Sequence, residues 1–390
     1  MPDPAIVRIE LTPVHVPFRD IVREAMAGSV GGLGMAIPAE APWSGGDFAI
    51  CRLTAEDGSQ GLGESFVWLP ESGVSPEQII DAIRSALATC VLGESPFAVE
   101  KIRHRMDSNV ARCEMAKGLL DMACYDLMGH ITGRPACDFM GGRCLDSVPL
   151  TALIPLTDVD AMVDMALAFQ RGGARSFRLK LGAGIAEDAR ILSRAREALG
   201  DGARLRVDYN QAYTPSEAIR AIRAIEPFGI EVAEQPVRAS DPLGMARVQR
   251  RVRTPLLAHE GCFSLQDLVQ LIELEAVGVV GINSERPGGI TNALRAISYA
   301  EQRGIGVVLH NQPLGIASAM QVHLAVARFP ALGYAIELFG HVMLEDDLIA
   351  EPLDYDGGEV SLPGGPGFGV ELDEGALDGY ATAASVEIEP

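Results

Sequence analysis

The chain has 390 residues, of which 48% are hydrophobic, and a formal net charge of −21. This length suits two domains, and the acidic charge argues against nucleic acid or an anionic membrane as a partner. No apolar stretch approaches the roughly 20 residues that span a bilayer. The first residues, MPDPAIVRIE, lack the basic and apolar segments of a signal peptide, so we expect a cytoplasmic protein with no membrane partner.

Seven cysteines are scattered along the chain, an odd number, and no Cys-x-x-Cys pair occurs. This usage argues against a disulfide framework and gives no spacing that supports a zinc–thiolate site. We therefore expect free and mostly buried thiols.

Residues 1–130 are predicted to form an α+β domain. Residues 4–66 alternate between polar and apolar side chains, as strands do, and residues 75–128 change to a helical period. Between two of the strands lies a Gly-rich, apolar segment at about 25–46, which contains Trp43. Long segments of this kind inside compact domains are usually functional or disordered. The apolar residues favour a lid, so we predict a lid that contributes Trp43 to substrate binding.

Residues 131–345 are predicted to form a parallel (β/α) barrel. Eight strand-like runs alternate there with helical segments, and this alternation is typical of that fold. The runs, in chain order, are VPLTALI, SFRLKLG, ARLRVDYN, GIEVAEQP, PLLAHE, VGVVGIN, GVVLHN and YAIELF. The Gly- and Pro-rich segment 346–390 is expected to return to the first domain.

Three acidic residues, Asp208, Glu234 and Glu260, follow one another at intervals of 26 residues. Each closes a short, mostly apolar run that leads into a turn and a helical stretch. Because the carboxyl ends of the strands of a parallel barrel face one mouth, we expect the three carboxylates to converge. Converging carboxylates are the ligands that a hard cation prefers, so the sequence predicts a Mg²⁺ site.

Two cations stand on the second strand-like run. Arg178 and Lys180 are two residues apart, and alternate side chains of a strand point the same way, here into the barrel. A partly buried lysine beside a guanidinium is disfavoured as an ammonium ion, so Lys180 is a candidate general base. Arg178 is a candidate partner for a substrate carboxylate.

Other polar residues close neighbouring runs at the same mouth. His310 ends the seventh run and is a candidate acid or base. Glu337, on the eighth, is a candidate hydrogen-bond partner for the substrate carboxylate, and Asn210 shares a face with Asp208. A divalent cation flanked by bases suits removal of the proton α to a carboxylate, because the cation stabilises the enediolate that forms.

Taken together, these motifs resemble the mandelate racemase/muconate lactonizing enzyme family of the enolase superfamily. The resemblance spans nearly the whole chain and is carried by DGSQGLGES, FRLKLG, RVDYNQAY, VAEQP, LAHEG, RPGGITNA, HNQPLGIAS and SLPGGPGFGVELD. It implies an α/β fold: a modified (β/α)₇β TIM-type barrel capped by an α+β domain that is built from both termini. It also implies that Asp208, Glu234 and Glu260 bind Mg²⁺, that Lys180 is a base, and that the protein is a homo-oligomer.

The chain departs from the family pattern at three places. Arg178 replaces the first lysine of the Lys-x-Lys strand. His259 directly precedes Glu260 and is an alternative metal ligand. Asn283 stands where the family has either a lysine base or an aspartate that pairs with the histidine of strand seven, here His310; we keep it as a candidate substrate contact. Nearby polar candidates for a second acid or base are Ser284 and Arg286.

The sequence therefore predicts a Mg²⁺-dependent enzyme that removes the α-proton of a small carboxylate. Racemisation, epimerisation or cycloisomerisation is favoured by the apolar character of segment 25–46. An acid-sugar dehydratase is the alternative, because the HNQPLG segment resembles that branch of the family. A barrel that binds a metal and a carboxylate without turnover is a third hypothesis, favoured by Asn283 and His259.

Overall fold

The computed structural model describes residues 3–27, 43–283, 285–311 and 313–390. Its first domain contains a four-stranded antiparallel sheet in the order β15-β1-β2-β3. The strands are β1 (Ile6–Pro17), β2 (Gly45–Ala55), β3 (Gln60–Val67) and β15 (Val386–Ile388). Because β15 comes from the end of the chain and pairs with β1, both ends of the chain contribute to this sheet.

The α-helices described in this domain are α1 (Asp20–Ala27), α2 (Leu69–Ser72), α3 (Pro76–Ala82), α4 (Ala88–Val91), α5 (Val99–Asn109) and α6 (Glu114–Thr132). Of these, α3 and α6 pack directly against strands of the sheet. A buried helix, α6, lies directly on β3, where a Cβ atom added at Gly61 would come within 2.4 Å of the Ala123 carbonyl oxygen. The glycine therefore permits a close approach of helix and strand.

The second domain is a parallel barrel. Its strands are β5 (Thr151–Ile154), β6 (Ser176–Lys180), β7 (Arg204–Asp208), β8 (Ile230–Glu234), β9 (Leu256–Ala258), β10 (Val279–Ile282), β11 (Gly306–Asn311) and β12 (Glu337–Leu338). They pair in chain order. Hydrogen bonds from Thr151 N to Ile336 O and from Ile336 N to Pro149 O, both 2.9 Å long, join the last strand to the first.

Within the described residues, a helix follows each of the first seven barrel strands. These helices are α7 (Val159–Arg171), α8 (Ile185–Leu199), α9 (Pro215–Ile225), α10 (Pro242–Gln249), α11 (Leu265–Glu273), α12 (Ile290–Gln302) and α13 (Gly315–Leu332). After β12 comes the single turn α14 (Gly340–Met343). The predicted (β/α)₇β barrel with an α+β cap is confirmed.

The remaining elements are a small sheet and a short helix near the end of the chain. A small antiparallel sheet joins β4 (Ser147–Pro149), β13 (Tyr355–Asp356) and β14 (Glu359–Ser361), and α15 (Glu374–Tyr380) precedes β15. The two domains also meet at the start of α13. There the buried carboxylate of Glu64, on β3, accepts hydrogen bonds from Leu314 N (2.7 Å) and Ala317 N (2.9 Å). A carboxylate at a helix N-terminus satisfies backbone donors that lack a partner within the helix.

The barrel interior is layered, and the layers position the site. Val232, Leu257, Val279 and Val308 form a small buried apolar cluster. Side chains two residues further along a strand point the same way. Glu234, His259 and His310 are therefore directed into the next layer towards the carboxyl ends of the strands, at the mouth of the barrel.

All seven cysteines are free; Cys144 is exposed, Cys113 is partly buried and the others are buried. In the part of the chain that the structure describes, no helix has the length and apolar character needed to cross a membrane.

His323, in the middle of α13, is a buried histidine outside the barrel mouth. Its Nδ1 accepts a hydrogen bond from Cys137 N (3.2 Å), and its Nε2 donates to Phe368 O (3.1 Å), which fixes a neutral ring. Burial lowers the pKa of His323 to about 4. Its stabilising contribution is therefore complete above the unfolded pKa of about 6.5 and is lost as the pH falls through about 4.

We predict that the free energy of unfolding of the wild type falls between pH 7 and pH 4 by about 2–3 kcal/mol more than that of His323→Gln. Urea unfolding at several pH values measures this difference. The exposed His104 supplies a matched control, since His104→Gln should keep the wild-type dependence. Parallel curves for wild type and His323→Gln would contradict the prediction.

Candidate active site

A cavity at the mouth of the barrel brings most of the predicted site residues together. Its volume is about 40 Å³, and Phe66 and the stacked pair Trp43 and Trp68, with ring centroids 4.8 Å apart, form its apolar side. The polar lining consists of Glu71, Arg178, Lys180, Asn210, His259, Glu260, Arg286 and His310. Trp43 therefore lies at the cavity as predicted for a substrate contact, whereas residues 28–42 of the predicted lid lie outside the described residues.

Arg178 lies among protein carboxylates. Its side chain is only 2% exposed, and it donates to Asp208 Oδ2 (2.6 Å) and to Glu234 Oε2 (2.8 Å). Glu337 Oε2 lies 3.5 Å from the same guanidinium. Burial would raise the pKa of Asp208, but the charges of Arg178 and Lys180 outweigh it, so that pKa is lowered. The predicted pairing of Arg178 with a substrate carboxylate would have to compete with these acids.

Lys180 starts a polar chain across the cavity. Its Nζ donates to Asp208 Oδ2 (2.5 Å) and to Asn210 Oδ1 (2.7 Å). The amide nitrogen of Asn210 in turn donates to Glu260 Oε1 (3.3 Å). Lys180 therefore lines the cavity and contacts the first predicted metal ligand.

The three carboxylates predicted to hold a metal lie at adjoining strand ends, and their chemistry fits a hard cation. Glu260 Oε2 is buried and has no hydrogen-bond partner among the described residues. Burial and the negative charges of Asp208 and Glu71 raise the pKa of Glu260 to about 7. A buried oxygen without a donor, in a carboxylate that resists ionisation, is the arrangement that a bound cation would relieve.

A second set of possible metal ligands shares one acid with the first. Ligand atoms of Glu234, His259 and His310 all lie within 4.8 Å of one another. One carboxylate and two imidazoles are the ligands of a transition metal such as Zn²⁺, not those that Mg²⁺ prefers. The two sets share Glu234 alone, and all three predicted Mg²⁺ ligands, Asp208, Glu234 and Glu260, stay predictions.

His310 has an acidic partner that the sequence analysis did not identify. Its Nδ1 lies 2.6 Å from Glu337 Oε2, on the neighbouring strand. Burial alone would raise the pKa of Glu337, but the charge of Arg178, the hydrogen bond with His310 and the charge of Arg206 lower it to about 2. Glu337 is thus an ionised acceptor, His310 donates through Nδ1, and its Nε2 carries the lone pair.

The environment of His310 favours the neutral ring. Burial and the charge of Arg178 lower its pKa, while Glu337 opposes them. Glu337 itself is bound by Arg206, Arg178 and His310 and does not line the cavity. In this structure Glu337 is the partner of His310, and its predicted contact with a substrate carboxylate stays a prediction.

Asn283 is not a partner of His310 in this structure. Its Oδ1 accepts a hydrogen bond from Arg286 N (2.7 Å), and its N donates to Arg286 O (3.0 Å). The Arg286 side chain reaches His259, with Nη2 2.7 Å from Nε2. Asn283 therefore holds the turn that presents Arg286. It does not line the cavity, and its predicted contact with a substrate stays a prediction. Ser284 lies outside the described residues.

Comparisons with known proteins agree with this geometry. Residues 40–141 match the model of the mandelate racemase/muconate lactonizing enzyme N-terminal domain, and residues 161–376 match the enolase C-terminal domain-like model. The chain is 30% identical to N-succinyl-L-Arg/Lys racemase of Bacillus cereus, over 84% of this chain and 88% of that protein. It is 32% identical to a chloromuconate cycloisomerase of Cupriavidus pinatubonensis, over 87% and 92% of the two chains.

Solved structures give the same result. The crystal structure of N-succinyl Arg/Lys racemase from Bacillus cereus superposes with a TM-score of 0.89 at 27% identity, covering 99% of this chain and all of that chain. Muconate lactonizing enzyme from Pseudomonas fluorescens, complexed with muconolactone, gives 0.88 at 28% identity, covering 97% and 99% of the two chains. The protein is therefore an enzyme of the mandelate racemase/muconate lactonizing enzyme family of the enolase superfamily, whose relatives are isomerases.

Proposed function

We propose that the protein racemises or epimerises a small carboxylic acid in a Mg²⁺-dependent reaction that begins with removal of the α-proton. The observation that carries this proposal is that Lys180 and His310 line one cavity from separate strands, β6 and β11, and that Glu337 supports His310 from behind. Two independent proton carriers allow a proton to leave one face of the α-carbon and another to arrive at the opposite face.

The protein groups have separate tasks in this reaction. Asp208, Glu234 and Glu260 would hold Mg²⁺, which supplies positive charge to the substrate carboxylate as the enediolate develops. Lys180 takes or returns the proton on one face. His310 does so on the other face through Nε2, while Glu337 keeps the proton on Nδ1 and stabilises the imidazolium ion.

The second proton carrier distinguishes among the family reactions. Cycloisomerisation needs proton transfer at one face only, so it leaves His310 and Glu337 without a task. A dehydratase is the second candidate, because an acid at His310 would protonate a departing β-hydroxyl group. The lowered pKa of His310 favours a neutral ring in the resting enzyme, which can accept an α-proton directly, whereas a dehydratase would need the ring already protonated.

The surroundings of the cavity support an amino-acid derivative as substrate. Relatives are named N-succinyl-L-Arg/Lys racemase and hydrophobic dipeptide epimerase. Trp43, Trp68 and Phe66 offer an apolar surface beside the proton carriers. A volume of about 40 Å³ holds only a few water molecules, so we propose that an N-acyl amino acid or a dipeptide enters when the aromatic side chains move.

Solvent-deuterium exchange tests this proposal. Single enantiomers of N-acyl amino acids, dipeptides and α-hydroxy acids are incubated in D₂O with Mg²⁺, and the α-proton signal and the product configuration are followed by NMR. We expect exchange with inversion for at least one compound, abolished by EDTA. A 2-keto acid product would favour the dehydratase, and metal binding without exchange of any compound would favour a non-catalytic barrel.

A further inference from the structure

Arg286 is held firmly at the edge of the cavity. Its guanidinium carbon lies 4.4 Å from the centroid of the Phe263 ring, and Nη1 lies 3.1 Å from Glu71 Oε1. Nη2 lies 2.7 Å from His259 Nε2. The Asn283 side chain fixes the backbone of Arg286 from the other side. Arg286 thus reaches the ring of His259 from a position that these contacts hold.

This contact determines where His259 carries its proton. A guanidinium has only donors, so His259 Nε2 must accept the hydrogen bond with its lone pair. The opposite ring orientation would place a carbon atom 2.7 Å from the guanidinium nitrogen, which is too close. A neutral imidazole has one N–H group, and with Nε2 acting as an acceptor that group is at Nδ1.

His259 Nδ1 faces three carboxylates. It lies 3.6 Å from Glu71 Oε1, 3.6 Å from Glu234 Oε1 and 3.9 Å from Glu260 Oε2. As an N–H group, Nδ1 is attracted to these oxygens and has no lone pair to offer a metal ion. Without Arg286, the proton could reside on Nε2, and the Nδ1 lone pair would then be free to bind a metal ion beside Glu234 and Glu260.

We propose that Arg286 is a positioning residue that excludes His259 from the metal coordination sphere and so keeps the site composed of oxygen ligands. The site then selects a hard cation such as Mg²⁺ or Mn²⁺ over Zn²⁺. Residues that orient the groups around a metal change its affinity by about 10–100-fold when they are removed. The inference rests on the proposed metal requirement. It means that the choice of ion depends on Arg286, which is not itself a metal ligand.

The tautomer of His259 is measured first in the wild-type protein. Nitrogen-15 NMR of histidine-labelled protein distinguishes Nδ1–H from Nε2–H rings, and the His259 signal is assigned by its loss in His259→Gln. We expect the Nδ1–H form. The Nε2–H form would overturn the inference, whether or not any variant folds and whether or not a metal binds.

The metal sphere is measured next with bound Mn²⁺, since pulsed EPR detects a directly coordinated ¹⁴N nucleus. We expect no such nitrogen in the wild type or in Arg286→Lys, which keeps an N–H donor. Arg286→Met should show a coordinated nitrogen that disappears in Arg286→Met/His259→Gln, and its preference for Zn²⁺ over Mg²⁺ should rise at least about 10-fold.

Arg103→Met is the matched control, because Arg103 is a buried arginine that donates to Gly288 O in the same turn and makes no described contact with His259. It should bind Mn²⁺ without a nitrogen ligand. A coordinated nitrogen in the wild type, or none in Arg286→Met with Mn²⁺ bound, would overturn the inference. Failure of the wild type to bind Mn²⁺ would count against the proposed function instead, and the tautomer measurement would still decide the role of Arg286.

Discussion

Replacing Lys180 with alanine is expected to reduce α-proton exchange by at least about 10²-fold for one enantiomer of the substrate, the low end of the contribution of a general base. The reason is geometric: Lys180 Nζ lines the cavity and contacts Asp208, the first predicted metal ligand. The opposite enantiomer should still exchange, because its α-proton faces His310. The measurement is deuterium incorporation into each pure enantiomer under initial-rate conditions.

Two further variants separate the base from the charge at this position. Lys180→Arg should recover little of the lost exchange, because a guanidinium does not deprotonate near neutral pH. Lys117→Met is a matched control. Lys117 is a buried lysine of α6, in the first domain, and its ion-pair partner is Asp107. Undiminished exchange of both enantiomers in Lys180→Ala would rule out the lysine as a base.

The barrel and the faces of its strands could be predicted because they depend on periodicity within the chain. Alternation along a strand places Arg178 and Lys180 on one face, and the 26-residue interval predicts where the acids lie. Such predictions do not require knowledge of which side chains contact one another across neighbouring strands. The eight strand-like runs accordingly correspond to β5–β12.

The partners of the site residues could not be predicted in the same way, because they depend on the register between strands and on the reach of long side chains. Glu337 is His310's partner because β11 and β12 place the two residues side by side. Arg286 reaches His259 from the turn after β10, and no spacing in the sequence indicates that contact. Adjacent strand ends that carry His and Glu are a signal that could have identified the first pair.

The partners of Arg178 could not be predicted from the sequence either. The sequence predicts a cation beside Lys180 but not that three acids, Asp208, Glu234 and Glu337, surround it. In the structure the guanidinium binds two of the predicted metal ligands, so metal binding and the Arg178 ion pairs share the same oxygens. A cation at the carboxylates would leave more of the guanidinium free for the carboxylate of a substrate, the task predicted from the sequence.

Replacing Glu337 with glutamine is expected to lower exchange by at least about 10²-fold for the enantiomer that Lys180 does not serve. Glutamine is neutral, so it cannot stabilise the imidazolium ion that forms when His310 takes a proton, and its amide can present a donor to Nδ1 and so favour the wrong tautomer. Glu337 raises the pKa of His310, so loss of its negative charge should lower that pKa. The acidic limb of the pH–rate profile for that enantiomer should therefore move to lower pH.

Glu231→Gln is the matched control for this variant. Glu231 Oε2 also accepts from Arg206 (3.0 Å), so both substitutions remove a partner of the same buried guanidinium, but only Glu337 contacts His310. Breaking a buried ion pair costs about 3–5 kcal/mol of stability, which the unfolding free energy of both variants will report. Glu231→Gln should nevertheless keep the wild-type exchange rates and pH profile for both enantiomers. If Glu337→Gln changes stability alone, or if its acidic limb moves to higher pH, Glu337 acts as a structural ion-pair partner and His310 is not the second base.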